Sequence, residues 1–404
     1  MISQRADLTF KDNLKQGRHG WIRLTPAYSV KVVQNVLEYV GKPQLVLDPF
    51  SGSGTTGLVC AERGVNCNLI EINPFLAWLS QSKVHYYSPR ELNAAIEIAG
   101  AVAEQASQNE QFDNLWIPPL NYIERWWSPE RLKILASLFQ AIQSQRKNRK
   151  DSLALNLALI AFCRTTIEWS NAAFNHQSMS FKKEKISFNK LNEKHLIIND
   201  FVSYCEQTIN SAKQYLLGSV SVQNSDSRYI HINDCRKYDC VITSPPYPNR
   251  MSYIREVRPY MYWLGFLNNA REAGDLDWQA IGGTWGIATS RLAQWEPGNT
   301  QIKNENFKGI IQEINKQSPI LANYVHKYFV DIVTHIDSLS YVLVKGAKIF
   351  YIVGNSKFYD TLVPVEEIYM SIMRQCGFKN VQSEVIRKRN SKKELYEFLV
   401  TAEW

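Results

Sequence analysis

The 404-residue chain predicts an α/β protein, one largely parallel sheet interrupted by a large helical insertion and a smaller second one. Three observations predict it. A strand, tight turn, helix, strand pattern occupies residues 44–84; about 140 residues of helical character follow; and apolar, β-branched runs then resume at 227–234, 238–247 and 347–356.

In the first block QLVLDPF reads as a strand, SGSGTTG as a turn, LVCAERG as a helix stopped by Gly64, and NCNLIEI as a second strand, which together make one βαβ unit. Residues 88–225 contain long helical stretches, Pro129 to Gln145 and Ser152 to Ser170, with basic runs at 146–150 and 182–185. SRYIHIND, YDCVITSPPY and AKIFYIVGNS read as further strands. Asn268 to Ser318, punctuated by Trp278, Gly282, Gly283, Trp285 and Gly286, reads as the smaller insertion or a lid. A helix over Val365–Cys376 precedes two last strands, NVQSEVIRKR and LYEFLVTAEW, expected as an antiparallel edge. The expected divisions are 1–86 and 227–404 for the sheet-bearing part, with 87–226 as the helical insertion and 268–318 as the second.

Composition narrows the function classes. With 45% hydrophobic and 21% charged residues, the chain matches a globular protein and not a collagen, coiled coil or disordered segment. Its longest apolar run, Leu153 to Cys163, falls short of the roughly 18 residues of a membrane span, so no membrane partner is expected. MISQRADLTFKDN lacks the apolar core of a signal peptide. Seven widely spaced cysteines suggest neither a disulfide framework nor a zinc site, and point to a reducing, cytoplasmic setting. Cys235 and Cys240 read as packing residues. The seven histidines show no ligand spacing, so no metal is expected. A net charge of +8 and a pI near 8.9 permit a polyanionic partner.

Gly52, Gly54 and Gly57 form G-x-G-x-x-G between a strand and a helix, and Glu71 follows at the spacing of a ribose-binding carboxylate. Glycines let backbone N–H groups approach a ligand at a helix N-terminus, and a carboxylate at the next strand end can accept two ribose hydroxyls. Both nicotinamide dinucleotides and S-adenosylmethionine share that need. Leu58 after the last glycine excludes a P-loop. Asp48, directly before the loop, would repel a pyrophosphate and attract a methionine ammonium, which favours S-adenosylmethionine.

DPFSGSGTT, IEINP and TSPPY occurring together resemble the DNA amino-methyltransferases, which methylate the exocyclic amine of cytosine or adenine. The resemblance covers about 18–86 and 227–404. It implies a Rossmann-like class I methyltransferase sheet, S-adenosyl-L-methionine as cofactor, double-stranded DNA as partner, and no metal. An exocyclic amine is a poor nucleophile because its lone pair is delocalised into the ring. Ser244 Oγ and the Pro245 carbonyl are expected to accept its two hydrogens, Pro245 and Pro246 to stiffen a loop that presents carbonyls, and Tyr247 to stack on a flipped-out base.

Serine at the first motif position is commoner in enzymes acting on cytosine N4, which makes that the expected target, with adenine N6 or an RNA amine as alternatives. The remaining cofactor positions implied are Gly52, Gly54 and Thr55 of the loop, Tyr28 and Ser29 over the methionine end, Phe50 lining the pocket, and Asp234 at the adenine amine. Arg250, Arg164, Asn175, His176 and Lys182 are expected to contact DNA. Arg387, Lys388 and Arg389 read as a charged strand edge. A restriction-modification or phage-defence setting with a separate endonuclease is the expected context. From a different class, a non-catalytic DNA-binding subunit would need a decayed motif, and a dehydrogenase would need a hydride-accepting site that the sequence lacks.

Overall fold

The computed structural model describes residues 5–25, 27–108, 114–148, 152–173, 180–181, 190–249, 251–284, 287–389 and 395–404. Seven strands form one sheet: β1 (Leu45–Asp48), β2 (Asn66–Ile70), β3 (Val220–Gln223), β4 (Tyr238–Thr243), β5 (Leu343–Gly354), β6 (Lys379–Lys388) and β7 (Tyr396–Glu403). Their spatial order is β3-β2-β1-β4-β5-β7-β6. All neighbours are parallel except β7, which runs antiparallel to both β5 and β6. This is a Rossmann-like sheet, as expected, with one antiparallel strand near its edge. Because the chain runs outward through β2 and β3 and then returns to β4, a crevice opens at the carboxyl ends of β1 and β4. Val46 and Leu47, level with Cys240 and Val241 in the parallel register, are wholly buried, as expected for a strand covered on both faces.

Helices α1 (Val30–Val40), α2 (Thr55–Glu62) and α3 (Pro74–Val84) accompany the first βαβ unit. Four long helices follow as the insertion: α4 (Pro89–Gln108), α5 (Pro129–Asn148), α6 (Ser152–Glu168) and α7 (Lys190–Ala212). They share one apolar core with α3 and with α8 (Tyr253–Trp263), a helix of the sheet-bearing part. Trp263 is the join. Its ring meets Trp127, Phe139 and Phe162 edge-on at centroid separations of 5.9, 5.7 and 5.3 Å.

The insertion also begins and ends at one point. Arg18, with no exposed surface, directs all five of its N–H donors at main-chain carbonyls. Lys83 and His85, at 2.8 and 2.6 Å, lie where the chain leaves the sheet; Ser211, Ala212 and Gln214, at 3.4, 2.6 and 2.9 Å, lie where it returns.

One expectation is corrected. SRYIHIND is not a strand: Ser227–Tyr229 is a 3-10 turn and Ile230–Asn233 a single helical turn. Asp226 caps the turn by accepting from the Arg228 N–H at 2.9 Å, and a capped turn competes with extension. The edge strand is instead β3, six residues inside the boundary drawn at 226, and it pairs with β2 from Cys67↔Val220 to Ile70↔Gln223. Gly218 permits that approach, since a Cβ there would lie 2.2 Å from the Val65 carbonyl oxygen.

The second insertion is built of helices, with α9 (Ala270–Gln279), α10 (Ile287–Gln294) and α11 (Phe307–Gln317) preceding α12 (Pro319–Ser340). Asn269 caps α9 through the Glu272 N–H. The last helix, α13 (Val365–Gln375), packs between α12 and the β6–β7 edge. Among the described residues no helix is long and apolar enough to cross a membrane.

Candidate active site

The crevice holds a cavity with an empty volume of ≈ 930 Å³, its open mouth included. Its walls come from the ends of β1, β2 and β4, from the residues ahead of α1, and from α8 with the loop after α9.

The floor is the glycine turn. Gly52 and Gly54 adopt φ of +52° and +79°, and Gly54 is the N-cap of α2. A Cβ on Gly54 would lie 2.9 Å from Ser80 Oγ and 3.2 Å from Ser80 Cα, so α3 can lie this close only beneath glycine. Ser80 Oγ in turn donates to the Gly52 carbonyl at 3.0 Å. Glu71 closes the turn from β2: its two oxygens accept the Gly52 and Asn73 N–H groups, each at 2.8 Å. Burial pushes its pKa up to about 7, against those two N–H bonds.

Ser244, Pro245, Pro246 and Tyr247 form the opposite wall. Ser244 Oγ donates to the Ile352 carbonyl at 3.1 Å and can then only accept from the Tyr247 hydroxyl, 3.5 Å away, which leaves one lone pair as the group's offer to a ligand. Tyr247 lies against Gly354, where a Cβ would come within 2.8 Å of its ring, and the Arg389 guanidinium sits 5.1 Å from the ring centroid.

Nine of the expected residues therefore line one cavity: Tyr28, Phe50, Gly52, Thr55, Glu71, Ser244, Pro245, Pro246 and Tyr247. Four expected cofactor residues do not. Gly54 acts beneath the floor. Asp48, wholly buried, accepts from Thr243 Oγ1 at 2.6 Å, Thr56 Oγ1 at 2.5 Å, the Phe50 N–H at 3.1 Å and the Tyr28 hydroxyl at 3.3 Å, and so braces the floor from behind. Burial raises its pKa, against these hydrogen bonds. Ser29 is the N-cap of α1 and donates its hydroxyl hydrogen to the Asp7 carbonyl.

Asp234 is held by Arg236 and the Tyr238 hydroxyl away from the cavity, because the turn that replaces the expected strand shifts the chain. The acid that does line the cavity is Asp226. Its carboxylate is fixed by Arg228, whose guanidinium also bonds Asp331 at 2.8 Å and the Gln279 carbonyl at 2.6 Å.

Of the expected DNA contacts, Arg164 lies half-buried between α6 and α7, bonded to Gln207 at 2.8 Å with its guanidinium 4.1 Å from the centre of the Tyr204 ring. It serves helix packing there. Arg250, Asn175, His176 and Lys182 lie outside the described residues, as do Trp285 and Gly286. Among the described residues no group of three His, Cys, Asp or Glu side chains is placed to hold a metal ion.

The site also contains residues the sequence reading passed over: Asp226, Ile72, Tyr253 and Ile281 in the wall, and Asn73, which both lines the cavity and caps α3. Asp226 could have been found from VSVQNSD, whose alternation marks β3 and whose acid closes it.

The donor set suits an adenosine sulfonium. The cavity offers carboxylates at two strand ends, apolar walls from Leu24, Phe50, Ile72 and Ile281, and, among the described residues, no lysine or arginine in its lining that would seat a pyrophosphate. Comparison with known proteins agrees. Residues 25–82 match the DNA methylase family model. Over 95% of its length the chain is 25% identical to the type II methyltransferase M.BsoBI of Geobacillus stearothermophilus, covering 83% of that protein. It is 22% identical to the type II methyltransferase M.AvaI of a Nostoc species, with the same two coverages. A solved rRNA methyltransferase, aviRa of Streptomyces viridochromogenes, aligns over 97% of this chain and 92% of its own at 10% identity, but its TM-score of 0.30 is too low to bear on fold or function.

Proposed function

From the match of residues 25–82 and the likeness to type II methyltransferases, we propose that the chain is a DNA amino-methyltransferase using S-adenosylmethionine, and that it methylates the N4 amine of a cytosine flipped out of double-stranded DNA. The observation that carries the reading is the hydrogen bond from Ser244 to Ile352: a hydroxyl whose hydrogen is committed to β5 can only accept. The Pro245 carbonyl would be the second acceptor, since both residues line the same cavity as the glycine turn. Two acceptors suit the two hydrogens of an exocyclic amine, and accepting both draws the nitrogen toward a tetrahedral geometry that frees its lone pair. The rest is alignment, since holding two reactants in line supplies much of such a rate enhancement.

The cofactor supplies the electrophilic methyl group. Glu71 would hold its ribose hydroxyls, Asp226 its adenine amine, and Phe50, Ile72 and Ile281 the ring; Tyr28 would cover the methionine end. Tyr247 is the platform for the base. DNA recognition falls to the insertion between β2 and β3, whose segment 174–189 carries Asn175, His176 and Lys182 beside the basic run, with Arg250 near the base-binding loop. A cognate endonuclease in a restriction-modification pair fits the type II relatives.

The test is transfer from labelled S-adenosylmethionine to unmethylated bacterial DNA, with RNA in parallel, followed by nucleoside mass spectrometry. N4-methylcytosine is the expected product. N6-methyladenine would overturn the base assignment, label in RNA alone the substrate, and cofactor binding without transfer the enzymatic reading.

A further inference from the structure

The Ser244–Tyr247 loop has a hydrogen-bonding problem set by its own composition. Two successive prolines carry no N–H, so the first main-chain donor after Ser244 belongs to Tyr247. The structure ties the one peptide unit between Pro246 and Tyr247 from both sides. The Tyr328 hydroxyl, on α12, donates to the Pro246 carbonyl at 2.8 Å, and the Tyr247 N–H donates to the Tyr253 hydroxyl, on α8, at 3.4 Å. A carbonyl can only accept, so the single hydrogen of Tyr328 is committed to Pro246. Tyr369, on α13, with its hydroxyl 2.9 Å from that of Tyr328, is then the donor in the next link. Both rings are buried, Tyr328 at 1% and Tyr369 at 0% exposure, so no water competes for these bonds.

We propose that Tyr328 is a positioning residue for methyl transfer: by holding the Pro246 carbonyl it fixes the peptide plane that aims the Pro245 carbonyl and the Tyr247 ring into the cavity. The inference rests on the reading of this loop as the amine-binding wall. With the peptide released, the loop keeps its residues but loses its aim, and misplacement on the order of 1 Å costs rate far more than binding. Neither Tyr328 nor Tyr369 lines the cavity, so direct contact with cofactor or base is not part of the role.

Tyr328→Phe preserves the ring and removes only the donor. On unmethylated bacterial DNA its kcat should fall about tenfold, while calorimetry with S-adenosylmethionine gives a Kd within about twofold of the parent. Tyr369→Phe leaves the Tyr328 to Pro246 bond in place and should cost about twofold or less. If Tyr328→Phe loses cofactor affinity in step with kcat, or if the two variants are equally impaired, the residue acts through general packing and the inference is wrong. A parent protein active on DNA with an equally active Tyr328→Phe overturns the inference alone; a parent that transfers no methyl group to DNA overturns the function and the inference together.

Discussion

The Arg389 guanidinium lies over the Tyr247 ring, 5.1 Å from its centroid, and is anchored by a 2.8 Å hydrogen bond to the Asn355 carbonyl. A cation above an aromatic face is attracted by the ring quadrupole and restricts the ring's tilt. The residue comes from what looked like a charged strand edge, yet it reaches the cavity wall.

Truncating this pair should show coupling. Tyr247→Ala removes the platform for a base, a loss of about 1–3 kcal/mol in stacking, and should depress turnover with little effect on cofactor affinity. Arg389→Ala should produce a smaller loss in the same direction. In the double variant the Arg389 change should add little, because its target is gone; steady-state kinetics of all four proteins on DNA checks this, and fully multiplicative losses would contradict it.

Cofactor binding should depend on pH through Glu71. Its pKa is raised to about 7, so the carboxylate that best accepts ribose hydroxyls is formed only as pH rises through that value. Affinity for S-adenosylmethionine should therefore strengthen between roughly pH 6 and pH 8. Glu71→Gln should flatten that profile as well as weaken binding, measured by calorimetry across the range. For the fold the sign is opposite. A carboxyl with a raised folded-state pKa binds its proton more tightly than the unfolded chain does, so its contribution to stability falls from the usual glutamate value, 4.5, up to about 7.

The two aspartates separate cleanly. Asp226→Asn should lower cofactor affinity several-fold, because it weakens the acceptor in the cavity wall and its tie to Arg228. Asp234→Asn should leave cofactor affinity unchanged, since its carboxylate is spent on Arg236 and Tyr238. An inverse result in titration of the two variants would restore the strand reading of SRYIHIND.

Gly54→Ala should be destabilising by about 1–3 kcal/mol from its φ of +79° and its contact with Ser80, which a denaturant melt reports. Gly100→Ala is the matching control: its Cβ meets nothing within 4 Å on α4, and alanine favours a helix, so the same melt should show it unchanged or slightly more stable.

What the sequence made legible follows from where local signals suffice. The glycine turn, Glu71 and the S-P-P-Y loop carry their geometry in their own composition, so the cavity's two main walls could be named from residues alone. Asp48 and Ser29 are bonded within the protein beside the site, which was not legible because sequence shows a carboxylate or hydroxyl without showing which neighbours already bond to it. Asp234 failed through the secondary structure: SRYIHIND alternates like a strand, and only the Asp226 cap and the pairing of VSVQ with β2 decide otherwise. Arg389, Tyr253 and Tyr328 were unreadable because they reach the loop across 142, 6 and 82 residues of chain, from Tyr247, Tyr247 and Pro246 respectively.

The five carbonyls gathered by Arg18 make that side chain the clasp of the inserted segment. One guanidinium clasps the departing and returning ends of the four-helix segment, so the two splice points are held side by side whatever lies between them. Inside that clasp the inserted helices and α8 share one core around Trp263, so the cavity wall at Tyr253 and Ile254 is set on the insertion as well as on the sheet.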